Sequence, residues 1–380
     1  MFKEIVEFIK DLYGRDTLIP LHKPVFLGNE KEYLLDCINS TFVSSVGKYV
    51  DQFEQMIAKY TGAKYAVATV NGTAALHVAL QLSGVKYGDE VITQPFTFVA
   101  TANAISHAGA SPVFVDINPS TLGLSAEKLE HFLKQNTIQK DGVCINKKTN
   151  RIIRACAPMH TFGHPCEIEE IAAICNRFNI ALVEDAAESL GSFYKNKHTG
   201  NFGIAGILSF NGNKTITTGG GGMIITNDEN FAKQAKHITT TAKNPHPWEF
   251  IHDEMAYNYR LTNISAALGV AQMEEIENIL QNKKETANRY SKFFENSDFK
   301  FINEPSNSKS NYWLNSIDLN TEMNRNEFLE YCNSNNIQVR PVWRLMTKLD
   351  MYKNCFADDL SNAECLEKRI VNLPSSYREE

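Results

Sequence analysis

The sequence predicts an α/β fold, with a mostly parallel central sheet flanked by helices and a smaller α+β unit towards the C-terminal end. Three observations carry this. Between about residues 60 and 230, short apolar runs alternate with amphipathic helical patterns. A long helical stretch then begins at Asn263. After it, the chain reads as strand, helix and strand.

The elements follow in chain order. MFKEIVEFIKDLYG sets Phe2, Ile5, Val6, Phe8, Ile9 and Leu12 at helical spacing. Charges interrupt this stretch and no small-residue cleavage site follows, so it reads as an amphipathic helix rather than a signal peptide. KYAVATV reads as a buried strand, and TAALHVALQLSG as a helix ended by Gly84. DEVITQP, SPVFVDI and IIRACAPM read as strands, followed respectively by the helices FVATANAISHAGA, SAEKLEHFLKQN and EIEEIAAICNRFN. IALVED, GILSF and GMIIT are further strands. Apolar runs without alternation suit strands covered on both faces. NISAALGVAQMEEIENILQNKKETANRYSKFFENS reads as long helix broken once. NYWLNSIDL, RNEFLEYCNSNN and IQVRPVW form the smaller unit. The expected division is 1–285, including the N-terminal helical segment, and 286–380.

Composition narrows the function classes. The chain has 380 residues, 43% of them hydrophobic, which suffices for a sizeable core. A net charge of −6 leaves no electrostatic footprint for nucleic acid. No run of about 18 uninterrupted apolar residues predicts a membrane span. The 8 cysteines are scattered without a CxxC pair and read as reduced thiols of a cytoplasmic chain.

The chemistry concentrates at predicted strand ends. SFNGNKTITTGGGGMIITND carries Lys214 just past a strand, with Gly219–Gly222 behind it. A Walker loop needs its lysine after the glycines, and a dinucleotide fingerprint needs another spacing, so neither fits. VNGTAALH puts Gly72 and Thr73 where a strand gives way to a helix, a natural anion site. Ordinary capping by Thr73 is an equal alternative. Asp185 ends the apolar strand in ALVEDAAESLGS, at the edge where open α/β sheets bind ligands. Taken singly, Asp185 could be a cap and Lys214 a solvated lysine. Together, an anion-binding helix start, a carboxylate for a ring nitrogen and a lysine able to form an imine are the set that pyridoxal phosphate requires.

Five stretches then carry a resemblance. They are GKYVDQFEQMIAKYTGAKYAVATVNGTAALHVAL, DEVITQPFTFVATANAI, VEDAAESLGS, SFNGNK with TTGGGGMIITND, and YNYRLTNISAALGVAQ. In order and spacing the chain resembles the DegT/DnrJ/EryC1/StrS sugar aminotransferases, which are fold-type I pyridoxal phosphate enzymes. The resemblance implies that Lys214 is the Schiff-base lysine and Asp185 the partner of the pyridine nitrogen. It places Glu188 near the ring hydroxyl, where the family often has Gln. It makes Gly72, Thr73 and Ser209 phosphate binders and Phe98 an aromatic stacked on the ring. Asn258 matches an asparagine that reaches the phosphate from a neighbouring subunit, which implies a homodimer with shared sites. His160 matches a histidine of the cofactor pocket. Departures are Asn71 for a usual serine, Ser265 for a common Gln, and four glycines for the common GEGG. None alters Lys214 or Asp185. A related branch with His at the lysine position dehydrates its sugar, and this chain keeps Lys214.

HTFGHPC offers His160, His164 and Cys166 at metal-ligand spacing, but no second cluster accompanies them and no metal is expected. For the substrate, NGNK, RPVWRLM and VSSVGKYV resemble the legionaminic-acid branch of the family. That branch implies amino transfer, with glutamate as donor, to C4 of a nucleotide-linked 2-acetamido-2,6-dideoxy-4-hexulose. Arg340 and Trp343 suit its diphosphate and a base or sugar face, although a domain-interface pair is as good a reading of those two. A perosamine-type 4-aminotransferase, whose sugar has a 2-hydroxyl, is the near alternative. A catalytically silent cofactor-binding sensor or scaffold is the distant one.

Overall fold

The computed structural model describes residues 1–14, 17–321 and 325–379. Its centre is a nine-stranded sheet. The main path runs Tyr65–Thr69, Gly222–Thr226, Ala205–Ser209, Ala181–Asp185, Ile152–Cys156, Glu90–Thr93, Ser111–Phe114. The last five of these are mutually parallel, and Gly222–Thr226 runs antiparallel to both neighbours. The hairpin Thr137–Lys140 and Val143–Asn146 adds to Ile152–Cys156. The sequence reading missed this hairpin, because residues 138–140 are exposed and carry no apolar run.

Crossover helices cover both faces. Helix Gly72–Leu82 is buried from Ala74 to Leu80, and its alanines let it lie close on the sheet. One face is filled by Val78, Val91, Val183, Ile207 and Ile224, and another core gathers Phe53, Phe210, Met223 and Val270.

The long helical stretch divides into Asn263–Glu274 and Ile276–Phe294, with Glu275 at φ −103° between them. Beyond it, Lys300–Phe301, Asn315–Asp318, Ile370–Leu373 and Arg340–Pro341 form an antiparallel sheet. The strand expected over IQVRPVW shrinks to Arg340–Pro341, where Pro341 has no N–H to extend the ladder.

The N-terminal helix spans Phe2–Tyr13 and stops at Gly14 with φ 57°. It buries Ile5, Val6, Ile9 and Leu12 against Phe299, Phe301, Ile317, Phe328 and Val371. It therefore packs with the C-terminal elements, although its place in the chain suggested the large unit. Residue 285 lies inside the continuous helix Ile276–Phe294. That helix gives Ile276, Ile279 and Leu280 to one core and Ala287, Tyr290 and Phe294 to the other. Among the described residues no helix is long and apolar enough to cross a membrane.

Candidate active site

Parallel strands present their carboxyl ends along one edge of the sheet, and the site is built there. Strand Tyr65–Thr69 leads through Asn71 into helix Gly72–Leu82. The Asn71 side chain caps that helix by accepting the Ala74 N–H at 2.8 Å. The capping role considered for Thr73 therefore falls to Asn71, and Thr73 faces the cavity instead.

Ser209 ends the strand Ala205–Ser209 beside this helix start. A Cβ on Gly72 would stand 3.0 Å from the Ser209 Cβ, so glycine permits the approach. Gly222 is more constrained, since a Cβ there would lie 2.4 Å from the Asn71 carbonyl carbon and 2.6 Å from the Gly72 nitrogen. Gly219 takes φ +78°, the left-handed region that favours glycine. The glycine run thus folds the chain back against the helix N-terminus.

Asp185 ends strand Ala181–Asp185 and is only 5% exposed. Its Oδ2 accepts the Thr101 hydroxyl at 2.7 Å and its Oδ1 the Ala187 N–H at 3.2 Å. Burial raises its pKa, against the pull of Thr101, the Ala187 N–H, Lys214 and His160. Glu188 is buried nearby. Its Oε2 accepts the Phe162 N–H at 2.9 Å, and its Oε1 lies 3.3 Å from Lys214 Nζ. Burial pushes Glu188 up to about 7, with Lys214 and the Phe162 N–H opposing. Lys214 Nζ also sits 3.9 Å from the centre of the Trp313 ring, a cation–π contact.

These groups line one cavity of about 290 Å³, together with Phe98, Thr101, Met159, Asn211, Asn213, Gly220, Gly221 and Trp343. Gly72, Thr73, Phe98, Asp185, Glu188, Ser209, Lys214 and Trp343 are thus brought together as the sequence suggested. Phe98 stands at the rim, 47% exposed, with its ring centre 6.0 Å from that of Trp343.

Three expected residues lie elsewhere. His160 is fully buried and does not line the cavity. Its Nε2 meets Glu184 Oε2 at 3.1 Å, and its Nδ1 accepts the Cys166 N–H at 3.1 Å. It ties the 160–166 segment to strand Ala181–Asp185, since its own N–H also donates to the Asp185 carbonyl at 3.1 Å. Arg340 is exposed and donates to Asn333 Oδ1 and the Val339 carbonyl, outside the cavity. Asn258 is exposed, accepts from Arg260 Nε at 3.2 Å and lies outside its own chain's cavity. His160, His164 and Cys166 do not converge as ligands, because the Cys166 thiol donates to the Met159 carbonyl and His164 packs edge-on against Tyr312.

Sequence reading missed Thr101 and Trp313. Thr101 lies one turn beyond Phe98, and that spacing could have found it. Trp313 sits in a distant segment with no local signal.

The donor set fits pyridoxal phosphate. A helix N-terminus with two hydroxyls nearby suits a phosphate. Asp185 is a buried carboxylate bonded only to neutral donors among the described residues, so a protonated ring nitrogen would complete its pairing. Lys214 shares the cavity.

Fold and site together define a pyridoxal-phosphate-dependent aminotransferase of fold type I. The sequence agrees, since residues 27–378 match the model of the DegT/DnrJ/EryC1/StrS aminotransferase family. The chain is 38% identical to GDP-perosamine synthase of Escherichia coli O157:H7, over 94% of this chain and 93% of that one. It is 36% identical to GDP-perosamine synthase of Vibrio cholerae, over 94% of each. Helicobacter pylori PseC, an aminotransferase involved in pseudoaminic acid biosynthesis, superposes with a TM-score of 0.85 at 25% identity, covering 94% of both chains. The chain belongs to the DegT/DnrJ/EryC1/StrS family and is a pyridoxal-phosphate-dependent sugar aminotransferase.

Proposed function

We propose that this enzyme carries an amino group from glutamate to C4 of a nucleotide-linked 4-keto-6-deoxyhexose, with a GDP-linked, perosamine-type sugar as acceptor. The observation that carries the choice of sugar is the likeness, over nearly the whole chain, to proteins named GDP-perosamine synthase. The 2-acetamido sugar of the legionaminic-acid type is the second reading. What supports it is the resemblance carried by NGNK and RPVW, whose Asn213 and Trp343 line the cavity, whereas Arg340 lies outside.

When bound, pyridoxal phosphate supplies an aldehyde to hold the amino group and a ring that takes up electrons. The protein supplies position and proton control. Gly72, Thr73 and Ser209 hold the phosphate at the helix start. Asp185 keeps the ring nitrogen protonated, and Thr101 and the Ala187 N–H aim its carboxylate. Lys214 would hold the aldehyde end of the cofactor, and its Nζ is the atom that moves the proton. Glu188 and the Trp313 ring hold that Nζ from two sides. Phe98 and Trp343 form the aromatic mouth that receives the sugar.

Asn258 serves the neighbouring protomer's site in a homodimer. Two features support this: its exposure away from its own cavity, and the exposed Trp248, Phe250 and Met255 on the segment leading to it. The test offers purified enzyme GDP- and UDP-linked 4-keto-6-deoxy sugars, with and without the 2-acetamido group, plus glutamate. Product masses identify the acceptor. Amination of only the acetamido sugar would overturn the perosamine reading, and amination of none would overturn both.

A further inference from the structure

We propose that Lys283, together with His22, is a positioning residue for Lys214 and acts through Trp313, an inference that rests on Lys214 being the reacting lysine. Lys283 lies midway along helix Ile276–Phe294 and is 2% exposed. Its Nζ donates to the Ser375 carbonyl at 2.8 Å, to His22 Nε2 at 2.9 Å and to the Trp313 carbonyl at 3.2 Å. In its charged form Lys283 has three donors and no acceptor, and these three acceptors use all of them. Among the described residues no carboxylate pairs with it. Burial alone pushes this ammonium down to about 7. Burial, Lys283 and Lys214 keep His22 well below its usual range, so a neutral imidazole offers its Nε2 lone pair. Keeping a cation dry without a counter-ion is costly, and a methionine would fill the same space without that cost.

The group it holds is the rear wall of the site. The Trp313 N–H donates to Asn311 Oδ1 at 2.8 Å, and Asn311 Nδ2 donates to the Glu188 carbonyl at 2.9 Å. The indole Nε1 donates to the Asn213 carbonyl at 2.6 Å, one residue before Lys214. The indole face lies 3.9 Å from Lys214 Nζ. Ser375, the second anchor, accepts the Asn315 N–H on its Oγ at 2.7 Å and donates its own N–H to the Leu21 carbonyl at 2.7 Å. Lys283 therefore pins the N-terminal segment, the C-terminal segment and the 311–315 turn at one point. That point sets where the indole stands. An indole that drifts releases Lys214 from one of its two flanking contacts.

The test uses Lys283→Met, which keeps length and removes the donors, and Lys283→Arg, which keeps a cation. The first readout is on the apoprotein and needs no substrate. In a Trp248→Phe, Trp343→Phe background, Trp313 is the remaining tryptophan of three. Lys283→Met is expected to red-shift its emission and to raise its quenching by acrylamide several-fold, with Lys283→Arg intermediate. The second readout, in the otherwise native holoenzyme, is the rate at which glutamate converts the bound cofactor. It is expected to fall between about tenfold and a hundredfold, the scale of an ångström of misplacement, with little change in the glutamate KM. A folded Lys283→Met enzyme with native Trp313 quenching and native rate overturns the proposal. If Lys283→Met does not fold, His22→Asn and Lys283→Arg decide, and native values in both overturn it. A native enzyme inert to glutamate counts against glutamate as donor, and the fluorescence still decides the role of Lys283.

Discussion

Replacing Glu188 with Gln is expected to flatten the pH dependence of the apoprotein's stability. Glu188 is 2% exposed, and burial lifts it from 4.5 to about 7, despite Lys214 Nζ at 3.3 Å and the Phe162 N–H. The folded chain therefore binds this proton more tightly than the unfolded chain does. The resulting stabilisation is complete below pH 4.5 and is lost as pH rises through 7. At 1.36 kcal/mol per pH unit, the lift corresponds to roughly 3 kcal/mol. Gln cannot ionise, so it removes this slope. It also turns an NH2 towards either Lys214 or the Phe162 N–H, a fixed cost of about 1 kcal/mol that does not vary with pH. The assay is equilibrium urea unfolding of apo wild type and Glu188→Gln at about pH 5 and pH 8, at one protein concentration because assembly shifts apparent stability. The variant should gain on wild type by roughly 2–3 kcal/mol between the two pH values. A difference that stays constant within about 0.5 kcal/mol would show that Glu188 is ionised throughout and that burial does not control it.

Asp185→Asn removes the charge we propose keeps the ring nitrogen protonated; kcat should fall by a barrier increase of roughly 3–5 kcal/mol in a protein that still folds, and a value within a few-fold of wild type would assign that role to another group. Gly222→Ala forces a methyl to 2.4 Å from the Asn71 carbonyl carbon, so a loss of about 1–3 kcal/mol in unfolding free energy and weaker cofactor retention are expected, whereas a neutral result would mean that the Asn71–Gly72 backbone yields easily. Lys214→Ala and Asn258→Asp chains, each nearly inactive, should regain activity when co-expressed, because one site of a mixed dimer combines an intact Lys214 with an intact partner Asn258. If Asn258 serves its own chain, every site keeps a lesion and no activity returns.

The site's front was readable because each part sits at the end of a predicted strand. Asp185 closes Ala181–Asp185, Ser209 closes Ala205–Ser209, and Gly72 follows Tyr65–Thr69. In an open α/β sheet those ends share an edge, so local patterns sufficed to bring Lys214, Asp185 and Gly72 into one cavity. His160 shows the limit of that logic. It too follows a strand, Ile152–Cys156, but Met159 continues as a bridge alongside Asp185, and this turns the imidazole inwards to Glu184. A direction, not a position, was missing. The N-terminal helix was readable as amphipathic, but not its partners, because Phe299 and Phe328 lie some 300 residues away in sequence.

The rear of the site is of this second kind. Trp313 reaches Asn213 across 100 residues, Lys283 reaches Ser375 across 92, and His22 reaches Lys283 across 261. No window of sequence holds such contacts, so Lys283 reads locally as one more charge on a helix face, and Trp313 as one more apolar residue in a strand. Burial separates the two readings. A solvated lysine is interchangeable with its neighbours on the helix, whereas a dry one bonded to three fixed acceptors has a single geometry. Substitutions at the front should therefore abolish a chemical step outright. Those at the rear should leave every reacting group present and slow the chemistry by moving the wall behind Lys214.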